Sequence, residues 1–160
     1  AAAKLTDDEV LELYSKAREA YEWFGLTTIP FDSDKYILSD GMMYYEVVQP
    51  DINSKQALSD YLKTLFADNI VDGLIEASSD QYVEHDGKLY VLPADRGSDI
   101  FKGEETYEVV RVSDTEIKLT VTVEIYDDPM QQNVTGYEHH DFFLEFSDNR
   151  WRFNNFNLVR

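Results

Sequence analysis

One run of residues, from Glu116 to Tyr126, alternates strictly between apolar and polar side chains. The apolar positions are Ile117, Leu119, Val121, Val123 and Ile125, and the polar positions between them are Lys118, Thr120, Thr122 and Glu124. Because successive side chains of a β-strand point to opposite faces, this pattern predicts a strand with one buried and one solvated face. Such strands are typical of antiparallel sheets, so we expect the chain to build its core on one.

Four pairs of segments are predicted to form β-hairpins. The paired segments are 36–38 with 43–48, 82–85 with 88–91, 106–112 with 116–126, and 138–146 with 151–159. Asp86-Gly87 joins the second pair and is a dipeptide that favours a two-residue hairpin turn. In the last segment the apolar phase shifts between Phe153 and Phe156, which predicts a bulge near Asn154-Asn155.

Helical patterns occupy the start of the chain and the stretch after the first hairpin. Thr6-Asp7-Asp8-Glu9 forms a capping box, and apolar residues recur at helical spacing as far as Phe24, so we expect an amphipathic helix ended by Gly25. Asn53 or Ser54 is predicted to cap a second helix. The apolar residues of this helix and of a short third one are Ala57, Leu58, Tyr61, Leu62, Leu65, Phe66, Ile70, Val71, Leu74 and Ile75.

Helices followed by long antiparallel strands are typical of an α+β domain. We expect one domain over residues 1–160, in which the N-terminal helices pack in a curved antiparallel β-sheet. In the order of its elements the chain resembles the cone of the NTF2-like and cystatin-like proteins. This similarity extends over most of the sequence.

The formal net charge of −18 restricts the choice of partners. An acidic surface repels nucleic-acid phosphates and anionic membrane surfaces, so we expect neither as a partner, and the sequence has no apolar run long enough to span a membrane. A basic protein partner is favoured, although the charge can also serve solubility alone. With no cysteine the chain has no thiolate ligand, and Asp32 and Asp34 lack the rest of a calcium-loop pattern, so no metal or cofactor is expected.

His140 is the one candidate for acid-base chemistry. Strand alternation places it on the face of Phe142 and Leu144, where it could line a pocket. No second catalytic group is fixed by spacing, and the simpler interpretation is a hydrogen-bonded histidine in or near the core. We therefore predict that the chain is not an enzyme. The alternative is an NTF2-like small-molecule-binding protein or enzyme with a pocket around His140.

The segment after the Asp86-Gly87 hairpin is the predicted binding element. Pro93 cannot donate to a sheet ladder and Gly97 allows backbone angles closed to other residues, so the chain should leave the sheet here as a loop. The loop consists of Pro93, Ala94, Asp95, Arg96, Gly97, Ser98 and Asp99. Its single cation, Arg96, either anchors a partner or merely bridges Asp95 and Asp99.

The run from Tyr82 to Val91 and the following Ala94-Asp95-Arg96-Gly97-Ser98-Asp99 resemble the IseA-like inhibitors of bacterial cell-wall DL-endopeptidases. The opening amphipathic helix and the closing Trp151-Arg152-Phe153 strand extend the resemblance over nearly the whole chain. It implies an exported, non-enzymatic protein that uses a projecting loop to obstruct the cleft of a peptidoglycan hydrolase. By position, Pro93 to Asp99 would be that loop.

The resemblance also sets the remaining expectations. The partner would be a cell-wall hydrolase with a basic surface, the protein would be secreted and associated with the cell wall, and we expect a monomer. A third class, a passive wall-associated interaction module, would bind partners without lowering any hydrolase activity.

Overall fold

The computed structural model describes residues 4–24, 27–93, 100–128, 130 and 133–159. Within them lie three helices and eight strands. These are α1 (Asp7–Glu22), β1 (Phe31–Ser39), β2 (Met42–Val47), α2 (Lys55–Leu62), α3 (Asp68–Ala77), β3 (Tyr82–His85), β4 (Lys88–Val91), β5 (Lys102–Ser113), β6 (Glu116–Tyr126), β7 (Val134–Ser147) and β8 (Arg150–Phe153). The predicted α+β class is therefore confirmed.

The strands form two four-stranded antiparallel sheets. One has the order β1-β2-β4-β3 and the other the order β5-β6-β7-β8. All four predicted hairpins are present as antiparallel pairs. The similarity to the NTF2-like and cystatin-like cone stays a prediction.

The chain divides into two compact units. The terminal unit comprises Ala1–Ser15 and Ser98–Arg160, and the central unit comprises Lys16–Gly97. Each unit contains one of the sheets, and the boundary falls within helix α1 on one side. That residues 1–160 fold as a single domain remains a prediction.

Helix α1 begins with the predicted capping box. The Thr6 N–H donates to Glu9 Oε1 at 3.0 Å, and the Glu9 N–H donates to Thr6 Oγ1 at 3.1 Å. The helix ends at Glu22, earlier than expected, and Gly25 lies outside the described residues. Trp23 and Phe24 form a turn instead, in which the Trp23 carbonyl accepts bonds from side chains of a later segment.

Helices α2 and α3 follow the sequence pattern closely. Of the two predicted caps, Ser54 is the one used, since its hydroxyl accepts a hydrogen bond from the Ala57 N–H at 3.0 Å. Helix α2 ends at Leu62, whereas the apolar pattern continues to Phe66. The residues after Leu62 form a turn that stays hydrogen-bonded to the end of the helix, since the Phe66 N–H donates to the Leu62 carbonyl at 2.9 Å.

The core of the terminal unit lies on one face of β6 and β7. The apolar positions of β6 from Ile117 to Val123 are at most 2% exposed, which confirms the predicted alternation. Phe142 of β7 is fully buried and lies against Tyr14 of α1, with ring centroids 5.5 Å apart. The part of α1 that belongs to this unit thus packs on the apolar face of the sheet.

The last strand is shorter than predicted, and the expected bulge does not occur. Strand β8 ends at Phe153, where Asn154 and Asn155 leave the sheet. The Asn155 side chain then takes the place of further strand pairing, because its Oδ1 accepts from the Phe143 N–H at 2.8 Å and its Nδ2 donates to the Asp141 carbonyl at 2.9 Å. The shift of apolar phase marks the end of a strand and not a bulge.

Candidate functional site

The hairpin of β3 and β4 carries the start of the predicted binding loop. Its turn residues Asp86 and Gly87 have φ angles of 49° and 74°, the left-handed backbone that an Asp-Gly turn was predicted to provide. Strand β4 continues from this turn to Val91, which is fully buried. The hairpin is therefore a fixed support and not part of the loop itself.

Beyond Val91 the chain leaves the sheet as the sequence predicts. The Leu92 N–H still donates to the Gln81 carbonyl at 2.7 Å, and Pro93 is exposed and outside the strand. The remaining predicted site residues, Ala94, Asp95, Arg96, Gly97, Ser98 and Asp99, lie outside the described residues. The described chain resumes at Ile100 in the terminal unit, where Ile100 and Phe101 are 55% and 40% exposed.

The support of this loop is anchored by the turn after helix α1. The Trp23 carbonyl oxygen accepts one hydrogen bond from the Tyr82 hydroxyl at 2.8 Å and a second from Gln81 Nε2 at 2.9 Å. Tyr82 is 1% exposed, and burial raises the pKa of its phenol well above the ordinary value. The hydroxyl therefore remains a neutral donor at physiological pH and holds β3 in place.

A cavity of about 330 Å³ adjoins the base of the loop within the central unit. It is lined by Leu92 and Pro93 together with Phe24, Leu74, Ala77 and Gln81. The site therefore presents a largely apolar groove beside the first residue of the loop. Periodicity did not predict this groove, because it forms where a turn, a helix end and a strand end meet.

A second and larger cavity of about 880 Å³ lies in the terminal unit. It is lined by Lys4, Leu5, Arg111, Ser113, Ile117 and Trp151, among others. Arg111 does not point freely into this space, since its guanidinium donates to Asp7 Oδ1 and to the Leu5 carbonyl, each at 2.6 Å. These bonds hold the segment that precedes α1 against the end of β5.

His140 has hydrogen-bond partners on both ring nitrogens. Its Nε2 lies 2.7 Å from Glu138 Oε1, and its Nδ1 lies 3.2 Å from Asn157 Nδ2. Because an amide nitrogen only donates, Nδ1 accepts, and Nε2 carries the proton shared with Glu138. His140 lines neither of these two cavities, and the geometry matches the simpler interpretation of a hydrogen-bonded histidine.

Glu138 links His140 to a lysine. Lys102 Nζ donates to Glu138 Oε2 at 2.6 Å, while Oε1 faces His140. The bond from Lys102, followed by that from His140, holds the pKa of the Glu138 carboxyl below its ordinary value. The carboxylate is thus kept ionised by its neighbours. An ionised carboxylate has no proton to give as a general acid, so Glu138 is better suited to linking β5 and β7.

Among the described residues, no group of three or more His, Asp or Glu side chains is placed to hold a metal ion. None of the described helices combines the length and apolar character needed to cross a bilayer.

Comparisons with known proteins give the chain its family. No match is found among curated proteins. The family model described as IseA DL-endopeptidase inhibitor, however, matches residues 1–157, which is nearly the whole chain. That match agrees with the resemblance carried by the Tyr82–Val91 hairpin and the segment after it, and its extent places the chain in the IseA DL-endopeptidase inhibitor family.

Proposed function

We propose that this protein inhibits peptidoglycan DL-endopeptidases by inserting the loop from Pro93 to Asp99 into the active-site cleft of the enzyme. Its family is one of DL-endopeptidase inhibitors, so the chain is not an enzyme and has a protein partner. The family gives the class of target enzyme, and our proposal adds that this loop is the element that obstructs the cleft. Action outside the cytoplasm, at the cell wall where such enzymes work, belongs to the same proposal.

The observation that carries the proposal is a difference in exposure between strand β4, which supports the loop, and Pro93, with which the loop starts. Leu89 and Val91 of β4 are at most 1% exposed, whereas Pro93, two residues later, is exposed. A loop that leaves a buried strand at a proline has fewer conformations to lose on binding, which lowers the entropic cost of association. An inhibitor that must occupy a cleft without being turned over benefits from such a support.

Arg96 is the proposed anchor. It is the single cation of the loop, and its planar guanidinium can bind a carboxylate or two carbonyl oxygens in a cleft that accepts acidic peptide stems. Arginine is also among the residues that most often dominate interface energies. The surrounding net charge of −18 would steer the inhibitor as a monomer toward a basic enzyme surface.

The test is the inhibition constant of a purified DL-endopeptidase with wild-type protein and with Arg96→Ala. We expect the variant to inhibit about 30-fold more weakly, equivalent to about 2 kcal/mol, with an unchanged melting temperature. Arg150→Ala is the matched control, because Arg150 is an exposed arginine at the start of β8. Equal inhibition constants for Arg96→Ala and wild type would remove Arg96 from the site.

The same assay separates the rival functions. Wild-type protein that binds the enzyme without slowing it would indicate a passive interaction module. For a pocket protein built around His140, His140→Gln would abolish function, whereas an inhibitor acting through the loop should keep its inhibition constant within about twofold of wild type. A wild-type protein that neither binds nor inhibits the enzyme would overturn the proposed function.

A further inference from the structure

The hairpin of β1 and β2 places apolar side chains on one face of its tip. Its turn residues, Asp40 and Gly41, have φ angles of 51° and 80°. The strand register pairs Leu38 with Met43 and Tyr36 with Tyr45. Because directly paired residues of antiparallel strands share a face, all four of these side chains lie on the same side of the sheet.

Where β2, β4 and β3 pair beyond the hairpin tip, this face includes buried residues. Tyr45 pairs with Val91 of β4, and Val91 pairs with Tyr82 of β3, and these last two residues are 0% and 1% exposed. Toward the hairpin tip the same face becomes uncovered: Tyr36 is 53% exposed, Leu38 69% and Met43 39%. We call these three residues the tip patch.

The tip patch is an ordered surface. The Tyr45 ring lies 6.2 Å from the Tyr36 ring, and the Tyr45 hydroxyl lies 3.9 Å from Met43 Sδ. Single exposed apolar residues are common in monomers, but a contiguous cluster on one sheet face indicates an interaction surface. The tip patch is therefore typical of a surface that binds a partner.

The register also places the tip patch beside the start of the proposed loop. Strands β2 and β4 run antiparallel with Tyr45 opposite Val91. Strand β4 ends at this pair, so Met43 lies two residues beyond it along β2, and Pro93 lies two residues beyond it in the same direction, after the chain has left β4. Neighbouring strands lie only about 5 Å apart, so a partner that contacts the loop as it leaves the sheet also reaches the tip patch.

The charges around the tip define the partner surface. Residues 31–48 contain four acidic residues, Asp32, Asp34, Asp40 and Glu46, against one lysine. Lys35 Nζ lies 3.8 Å from Glu46 Oε2, and Glu46 and its partner Asp32 lie on the face opposite to Tyr45, so the acidic group at the tip itself is Asp40 in the turn. A complementary partner would have an apolar surface with basic residues at its margin.

We propose that the tip patch is a second contact element of the inhibitor, which packs on an apolar surface at the rim of the DL-endopeptidase cleft while the neighbouring loop enters the cleft. This inference rests on the proposed function, and it adds a partner surface that the loop alone does not supply. The loop would obstruct the cleft, and the tip patch would contribute apolar burial beside it.

The test compares two double variants in the inhibition assay. Leu38→Ser with Met43→Ser removes the apolar character of the tip patch, and Val110→Ser with Val112→Ser is the matched control on β5, where the two valines are 38% and 53% exposed. We expect the tip variant to raise the inhibition constant at least about tenfold and the control to change it less than about twofold. Circular dichroism and melting temperature verify that both variants fold.

The outcomes for this inference and for the proposed function are distinct. Equal inhibition by wild type and the tip variant would overturn the tip-patch inference and leave the loop proposal standing. Failure of wild type to inhibit would overturn the proposed function itself. Sedimentation that shows a wild-type dimer abolished by the tip variant would assign the patch to a second copy of the chain and overturn the inference.

A photo-crosslinking measurement covers the case in which the tip variant does not fold. A benzophenone amino acid at position 38 should crosslink to the enzyme, and the same group at position 112 should not. Equal crosslinking from both positions, or none from position 38 in an inhibited complex, would overturn the inference.

Discussion

The Tyr82 hydroxyl donates a hydrogen bond to the carbonyl oxygen of Trp23 at 2.8 Å, across 59 residues of sequence. This bond ties the turn after α1 to β3, the strand that supports the proposed inhibitory loop through β4. Both partners are buried, so water does not compensate for its loss. The position of the loop base therefore depends on a contact far away in sequence.

Tyr82→Phe should lower the free energy of unfolding by about 1 kcal/mol, because the variant keeps the ring and loses only the buried hydrogen bond. Urea unfolding followed by tryptophan fluorescence measures the change. Tyr36→Phe serves as the control, since the Tyr36 ring is half exposed and its substitution should alter stability by less than about 0.5 kcal/mol. An unfolding free energy for Tyr82→Phe equal to that of wild type would contradict the assigned bond.

Asn155→Ala should destabilise the edge of β7. The variant loses the bond that Asn155 Oδ1 accepts from the Phe143 N–H and the bond that Asn155 Nδ2 donates to the Asp141 carbonyl, and we expect a cost of about 1 to 2 kcal/mol. Asn154→Ala is the control, because the Asn154 side chain makes a longer bond of 3.4 Å to Glu145. Hydrogen exchange at the Phe143 amide should also accelerate, and an unchanged exchange rate would rule out the assigned geometry.

Glu138 should make stability depend on pH in the acid range. Its pKa is lowered in the folded protein by Lys102 and His140, so its contribution is present above the unfolded pKa and is lost as pH falls through the lowered folded value. The free energy by which wild type exceeds Glu138→Gln should thus shrink below about pH 4.5. Because the side chain is 44% exposed and screened by solvent, the difference should stay below about 1 kcal/mol.

Urea unfolding of both proteins at about pH 5.5 and at about pH 3.5, on either side of the ordinary glutamate pKa, measures this difference. The comparison cancels the many other carboxylates, which titrate in both proteins. A difference that grows on acidification would contradict the direction of the Glu138 shift.

Association with the enzyme should weaken as salt rises. If the net charge of −18 steers the inhibitor to a basic surface, the association rate constant should fall by about tenfold or more between low salt and about 150 mM, while the dissociation rate constant changes less. Stopped-flow or surface-plasmon measurements over a salt series distinguish the two rates. An association rate constant that does not change with salt concentration would contradict electrostatic steering.

The parts of the fold that sequence predicts well are those governed by local rules. The alternation of β6 and the Asp86-Gly87 turn require only neighbouring residues, and both occur as predicted. The start of β5 was missed because Lys102-Gly103-Glu104-Glu105 has no apolar alternation. It becomes strand through pairing with the end of β6, where the Phe101 carbonyl accepts from the Tyr126 N–H at 2.8 Å.

The same distinction between local rules and distant contacts applies to the candidate site. The exit of the chain from the sheet near Pro93 follows from proline chemistry and was predicted. The exposure of Leu38 and Met43 was not, because an apolar residue in a strand has the same pattern whether or not another element covers it. Only the strand register and the exposure of these side chains in the structure show that the apolar face extends beyond the part of the sheet that is covered.

The Asn155 side chain also affects how the outer edge of strand β7 could pair with another strand. Strand β7 has 14 residues but pairs with β8 over only Leu144 to Ser147, so within the described part of the chain its earlier residues have no β8 partner on this side. At Phe143 the backbone N–H is taken by Asn155, and the carbonyl accepts from the Asn154 N–H at 2.7 Å. An incoming strand would have to displace these bonds before adding to the sheet at Phe143, so two consecutive asparagines protect the backbone from edge-to-edge pairing at the point where the strand ladder stops.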